Sequence, residues 1–174
     1  MSRQVKNIVL VGFMGSGKTA VGKKLASTLG WRFKDTDTLI EQQTGFTVNQ
    51  IFQKRGESYF RDLETQALRN LLGAQNHVIA TGGGIVLREQ NWERMQELGV
   101  VVALEASPEK VYQRVRHMKH RPLLLCEDPY EKIQSLLKDR EPFYKKAHYS
   151  IATDNKTILL AVEEILQKLN LLNR

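Results

Sequence analysis

Residues 7–19 read NIVLVGFMGSGKT. Asn7 to Val11 is a continuous apolar run with β-branched side chains, the pattern of a strand buried on both faces. Gly12 to Thr19 fits G-x-x-x-x-G-K-[ST]. Glycines there let backbone N–H groups turn inward around phosphate oxygens, the lysine reaches the β- and γ-phosphates, and the hydroxyl of the last residue binds Mg²⁺. Val21, Leu25 and Leu29 recur at helical spacing over 17–29, and Gly30 stands where a helix end favours a left-handed residue. The positive end of that helix would face the anion. Strand, glycine turn and helix are the context the motif requires; the competing reading is a flexible glycine turn that binds nothing. Gly15, Ser16, Gly17, Lys18, Thr19 and Ala20 are the predicted contacts to a nucleotide's phosphates, with Thr19 on the metal.

Outward from this motif, further strands are predicted at 31–35, 77–81, 100–104 and 149–153. Helical patterns cover 17–29, 47–72 with a break near Gly56, 107–117 opening on Ser107-Pro108, 130–140, and a terminal stretch with Ile158, Val162, Ile165 and Leu169 on one face. Strands alternating with helices predict an α/β fold with a parallel sheet covered on both faces. The length of 174 residues predicts one domain, 1–174. Residues 121–129 fit neither period; with two prolines and Leu123-Leu124-Leu125 they read as an excursion between helices, and an active-site lid is one use of such a segment.

The net charge is +7, which invites a nucleic-acid reading. No long Lys/Arg block occurs and the aromatics are not interleaved with bases, so no nucleic-acid partner is expected. No apolar stretch is long enough for a membrane span, and the N-terminus lacks a signal-peptide pattern. Cys126 is the lone cysteine, which leaves no intramolecular disulfide; a reducing cytoplasm is the expected location. The four histidines do not cluster at metal-ligand spacing.

Asp35 and Asp37 lie in KDTD, at 34–37. In an extended chain residues i and i+2 share a side, so two carboxylates there repel unless a cation sits beside them. A metal at Thr19 would supply it, because parallel strands end on one edge of the sheet. Asp35 is then predicted to approach Mg²⁺ through its water shell, and Asp37 to reach toward an acceptor hydroxyl. The alternative is a solvated loop in which Asp37 caps a turn at Thr38-Leu39-Ile40.

In chain order stand the phosphate loop, DTD at 35–37, GESYFR at 56–61 with Glu64 following, TGGG at 81–84, RPLL at 121–124 and REPFY at 140–144. This succession, from Ile8 to Thr153, resembles the shikimate kinases. The resemblance implies a P-loop, nucleoside-monophosphate-kinase-like fold with a five-stranded parallel sheet of order 2-3-1-4-5, a substrate subdomain at 35–64 and a lid at 117–128. It implies transfer of the γ-phosphoryl group of ATP to the 3-hydroxyl of shikimate, with Mg²⁺ as cofactor and a monomeric state. It assigns Asp37, Lys18 and Arg121 to catalysis, Asp35 to the metal through water, and Arg61 and Arg140 to the acceptor carboxylate, which guanidinium groups pair through two parallel hydrogen bonds. Gly82, Gly83 and Gly84 would let the acceptor ring lie against backbone. Arg114 would flank the adenine, beside Arg121 on the nucleotide. Phe52 and Phe60 would form the pocket wall or pack the core. Glu105 imitates a metal-binding acid after a strand, and the family places no chemistry there.

Overall fold

Asn7–Gly12 forms the central strand, β1, with all six residues buried. The computed structural model describes residues 5–118 and 124–171. Four more strands join β1: β2 (Arg32–Asp35), β3 (His77–Ala80), β4 (Val100–Glu105) and β5 (Tyr149–Ala152). Every pairing is parallel, and the order is β2-β3-β1-β4-β5, as the resemblance implied. Asp35 stands opposite Ala80, and Ala80 opposite Leu10. The segments that leave β1, β2 and β3 therefore emerge side by side on one edge.

Seven α-helices occur among the described residues: α1 (Lys18–Leu29), α2 (Thr36–Thr44), α3 (Val48–Leu71), α4 (Glu89–Leu98), α5 (Pro108–Val115), α6 (Pro129–Tyr144) and α7 (Ile158–Lys168). Helices α1 and α7 cover one face of the sheet, through Val21 and Leu25 packed with Val162 and Ile165 against Ile8 and Leu10. The other face is covered by α3 to α6, with Leu68, Trp92, Val111 and Ile133 around Val9 and Val11. A third, smaller cluster of Ile40, Ile51, Phe60 and Ala67 joins α2 to α3, so the segment at 35–64 has apolar packing of its own.

Three elements depart from the sequence reading. Helix α2 replaces the extended continuation after Asp35, and α4 occupies a stretch left unassigned, although Trp92, Met95 and Leu98 recur there at helical spacing and are buried. Helix α6 runs through Pro142 to Tyr144 instead of stopping near 140. Its last turn is held from outside: the Tyr144 hydroxyl donates to the Gly83 carbonyl at 2.8 Å. The break near Gly56 is present, with φ 81° and ψ 174° inside α3. Of the segment expected as a lid, residues 119–123, Arg121 among them, lie outside the described residues.

Asn7 ties the start of β1 to its surroundings. Its amide donates to the Ala74 carbonyl at 2.7 Å and the Leu98 carbonyl at 2.8 Å, and its side-chain oxygen accepts from the His77 N–H at 3.0 Å. The residue is 1% exposed. Asn7→Ala strands three backbone groups and should cost about 2–4 kcal/mol. Thermal denaturation should show Tm lowered by roughly 5–15 °C; an unchanged Tm would mean that those groups find other partners.

Candidate active site

The loop from Gly12 to Lys18 crosses from β1 to α1 with little room for side chains. A Cβ on Gly12 would stand 2.5 Å from the Leu104 carbonyl oxygen, and one on Gly15 would stand 2.8 Å from Val115 Cγ1. Gly17, at φ 97°, is the N-cap of α1 and offers no side chain to it. The first N–H groups of the helix are thus left for an anion, at the positive end of the helix dipole. Lys18 folds back over the loop, where Nζ donates to the carbonyls of Gly12 at 2.7 Å and Phe13 at 2.9 Å. Arg114 clamps the loop from α5 through a 2.8 Å bond to the Gly15 carbonyl and reaches the Thr153 carbonyl at 3.5 Å. Ala20 is exposed in the first turn of α1.

Asp35 meets the like-charge problem by capping a helix. Its Oδ1 accepts from the backbone N–H of Asp37 at 3.0 Å and of Thr38 at 3.4 Å, so Asp35, not Asp37, is the N-cap of α2. The turn into helix at Thr36 takes Asp37 off the strand, and two N–H donors meet one oxygen of the first carboxylate. Its other oxygen, Oδ2, accepts from the Thr19 hydroxyl at 3.0 Å. A hydroxyl and a carboxylate oxygen side by side at a partly exposed lip fit a Mg²⁺ ion that keeps most of its water.

Beside the phosphate loop lies a cavity of about 260 Å³ whose walls include Asp37, Phe52, Phe60, Arg61, Glu64, Gly82 to Gly84 and Arg140. Arg61 on α3 and Arg140 on α6 are 7% and 4% exposed. Arg61 donates to Glu64 at 2.7 Å and Glu57 at 2.9 Å, while Arg140 lies over the Phe13 ring, 5.3 Å from its centre. The Phe52 and Phe60 rings are 5.0 Å apart, and Phe60 also belongs to the third core cluster, so it is both wall and core.

The triple glycine is explained by space. None of the three has a positive φ. A Cβ on Gly82 would stand 2.6 Å from Glu64 Oε1 and 2.8 Å from Asp37 Oδ1; one on Gly83 would crowd the Met14 N–H at 3.2 Å and Arg140 at 3.4 Å; one on Gly84 would overlap the Arg61 guanidinium. Each missing side chain admits a charged group or the phosphate loop to the same strip of backbone.

Electrostatics follow from this crowding. Burial pushes the Glu64 carboxyl up to about 7, against the pull of Arg61. Burial opposes the charge of Arg61, but Glu64 and Glu57 outweigh it and its guanidinium is held above the ordinary value. The Tyr144 phenol, buried against Gly83, is pushed up to about 12 and stays a neutral donor.

The sequence-predicted residues Lys18, Thr19, Asp35, Asp37, Arg61, Gly82 to Gly84, Arg114 and Arg140 are thus gathered on one edge of the sheet. Glu105 ends β4 exposed, and its carbonyl accepts from Thr153. Sequence reasoning assigned no role to Glu57, Glu64, Phe13 or Tyr144. For the two acids a signal existed: they stand four residues before and three after Arg61, the spacing that brings side chains together on a helix.

The shikimate kinase family model matches residues 14–170. A shikimate kinase of Caldanaerobacter subterraneus subsp. tengcongensis is 49% identical over 94% of this chain and 95% of its own length. Among solved structures, the shikimate kinase from Acinetobacter baumannii in complex with shikimate superposes with a TM-score of 0.92 at 42% identity, covering 98% of this chain and 97% of that one. A gluconokinase from Sinorhizobium meliloti reaches a TM-score of 0.58 at 19% identity, covering 97% and 93%, a likeness of fold alone. With the phosphate loop and the arginine-lined cavity on a shared sheet edge, and with matches spanning nearly the whole chain, this protein belongs to the shikimate kinase family.

Proposed function

We propose that the protein transfers the γ-phosphoryl group of ATP to the 3-hydroxyl of shikimate, giving shikimate 3-phosphate and ADP. The observation that carries this reading is the cavity beside the phosphate loop, where Asp37 and two buried guanidinium groups border one strip of backbone without side chains. An acceptor with a carboxylate at one end and hydroxyls at the other matches that polarity.

In this reading the N–H groups of residues 15–20 cradle the phosphates, and Lys18 leaves its loop carbonyls for the β- and γ-phosphates. Thr19 and, through water, Asp35 would hold Mg²⁺, which supplies charge neutralisation on the phosphates when bound. Arg61 and Arg140 grip the acceptor carboxylate and the Gly83 N–H meets a substrate oxygen, which aims the 3-hydroxyl at the phosphate loop. Asp37 takes the hydroxyl proton as the oxygen attacks phosphorus in line and ADP leaves. Residues 117–128 act as the lid over a single domain with its substrate subdomain at 35–64, and Arg121 neutralises charge on the transferring group. Arg114 braces the loop beside the adenine. The enzyme works as a monomer in the cytoplasm.

A coupled assay of ADP release with shikimate, with gluconate and without acceptor tests the activity; release that depends on gluconate instead would remove the assignment. Asp37→Asn should lower kcat by about 10²–10⁴-fold while ATP affinity stays within twofold, and full turnover would take Asp37 out of the reaction. Arg140→Ala should weaken shikimate binding by about 2–5 kcal/mol; an unchanged KM would place the carboxylate elsewhere. In Gly84→Ala the new methyl displaces the Arg61 guanidinium, so KM for shikimate should rise at least tenfold with KM for ATP unaltered.

A further inference from the structure

Glu64 is a fully buried carboxylate in a cavity that must receive an anion, with a side-chain exposure of 0%. Oε2 accepts from Arg61 at 2.7 Å, and Oε1 is buried without a hydrogen-bond partner among the described residues. Oε1 and Asp37 Oδ1 flank the same side of Gly82, where a Cβ would lie 2.6 Å and 2.8 Å from them. An orphaned carboxylate oxygen in such a place carries a large desolvation cost, which a proton removes.

The charges around Glu64 make the proton more favourable once the acceptor arrives. On its own helix are Arg61 and Glu57; α2 contributes Asp37; α6 contributes Arg140 and the neutral phenol of Tyr144. Glu41 of α2 lines the same cavity with its Oε1 committed to the Val48 N–H at 2.9 Å. Before any ligand binds, the carboxylates of this group already outnumber its guanidinium groups. An anionic acceptor adds another negative charge and takes up part of the hold that Arg61 has on Glu64. Burial has already raised the Glu64 carboxyl to about 7, and a further anion raises it again.

We infer that Glu64 is the proton-uptake group of the acceptor site: binding of the anionic acceptor draws a proton from solvent onto Glu64, which offsets the added negative charge and turns Oε1 into a donor. The inference rests on the acceptor reading of this cavity. The proton comes from bulk water or buffer, the one new bond is O–H on Glu64, and the proton returns when the phosphorylated product leaves. Glu64 is a positioning residue, acting through Arg61, and its mark is a pH dependence of acceptor binding. Well below pH 7 the group is protonated in advance and binding takes up little. Above pH 7 uptake rises toward one proton, and affinity falls by up to tenfold per pH unit.

Calorimetric titration of shikimate into the full-length protein without nucleotide, in two buffers of different ionisation enthalpy, counts the protons. Uptake of about half a proton or more is expected at pH 8, and little at pH 6. Glu64→Gln leaves an oxygen for Arg61 and a permanent donor in place of the proton. It should abolish the uptake at pH 8 and flatten the fall in affinity between pH 6 and 8.5 from about tenfold to less than twofold. Tight binding at pH 8 with no uptake, or undiminished uptake in Glu64→Gln, overturns the inference and leaves the acceptor assignment standing. No shikimate binding at either pH overturns both. Should Glu64→Gln fail to fold, infrared difference spectra of the unaltered protein at pH 8 must show a protonated-carboxyl band appearing on binding, and its absence overturns the inference.

Discussion

A parallel sheet has a single carboxyl edge, and β1, β2 and β3 leave it as the phosphate loop, as Asp35 and as the triple glycine. The register holds them level: Asp35 opposite Ala80, Ala80 opposite Leu10. Thr81 locks the junction, since both its N–H and its hydroxyl donate to the Leu10 carbonyl, at 3.1 Å and 2.8 Å. Every polar group of the site is referred to this edge. The helices then supply what strands cannot: α1 its uncapped positive end, α3 and α6 one guanidinium each from different sides.

Space and charge are coupled at that edge. Two buried arginines require compensating acids, and Glu57 and Glu64 provide them for Arg61. Such an ion pair contributes little net stability once desolvation is counted, but it fixes the orientation of a charged fork that solvent would otherwise leave mobile. The same burial leaves Glu64 with an orphan oxygen and a raised carboxyl. Glycine at 82–84 makes the crowding sterically possible, so the cavity is a product of backbone shape as much as of its charged residues.

Legibility followed the range of the interactions. The phosphate loop, the buried strand and the stop at Gly30 are local patterns, and all were readable. The conflict in KDTD is legible, but which of its two acids caps a helix is not, because a cap depends on where the chain turns and not on the spacing of the acids. Helix α4 carries its apolar residues at helical spacing, a local signal of the same kind. The persistence of α6 through Pro142 was not readable, since the bond that holds its last turn comes from a carbonyl 61 residues away in sequence.

What the sequence alone determined is a phosphate-binding turn on a parallel sheet and an ordered set of motifs that resembles one family. The turn is a matter of residue type and short spacing, which backbone propensity is enough to express; the roles of the acid and the arginines are what the resemblance implies. Only the tertiary structure decided how these charges are held. It buried Glu64 between Arg61 and Gly82, set Phe13 beneath Arg140, and showed that three glycines stand where side chains would collide. Those are contacts between separate elements, and burial, which sets the energy of a charge, does not exist until the elements pack.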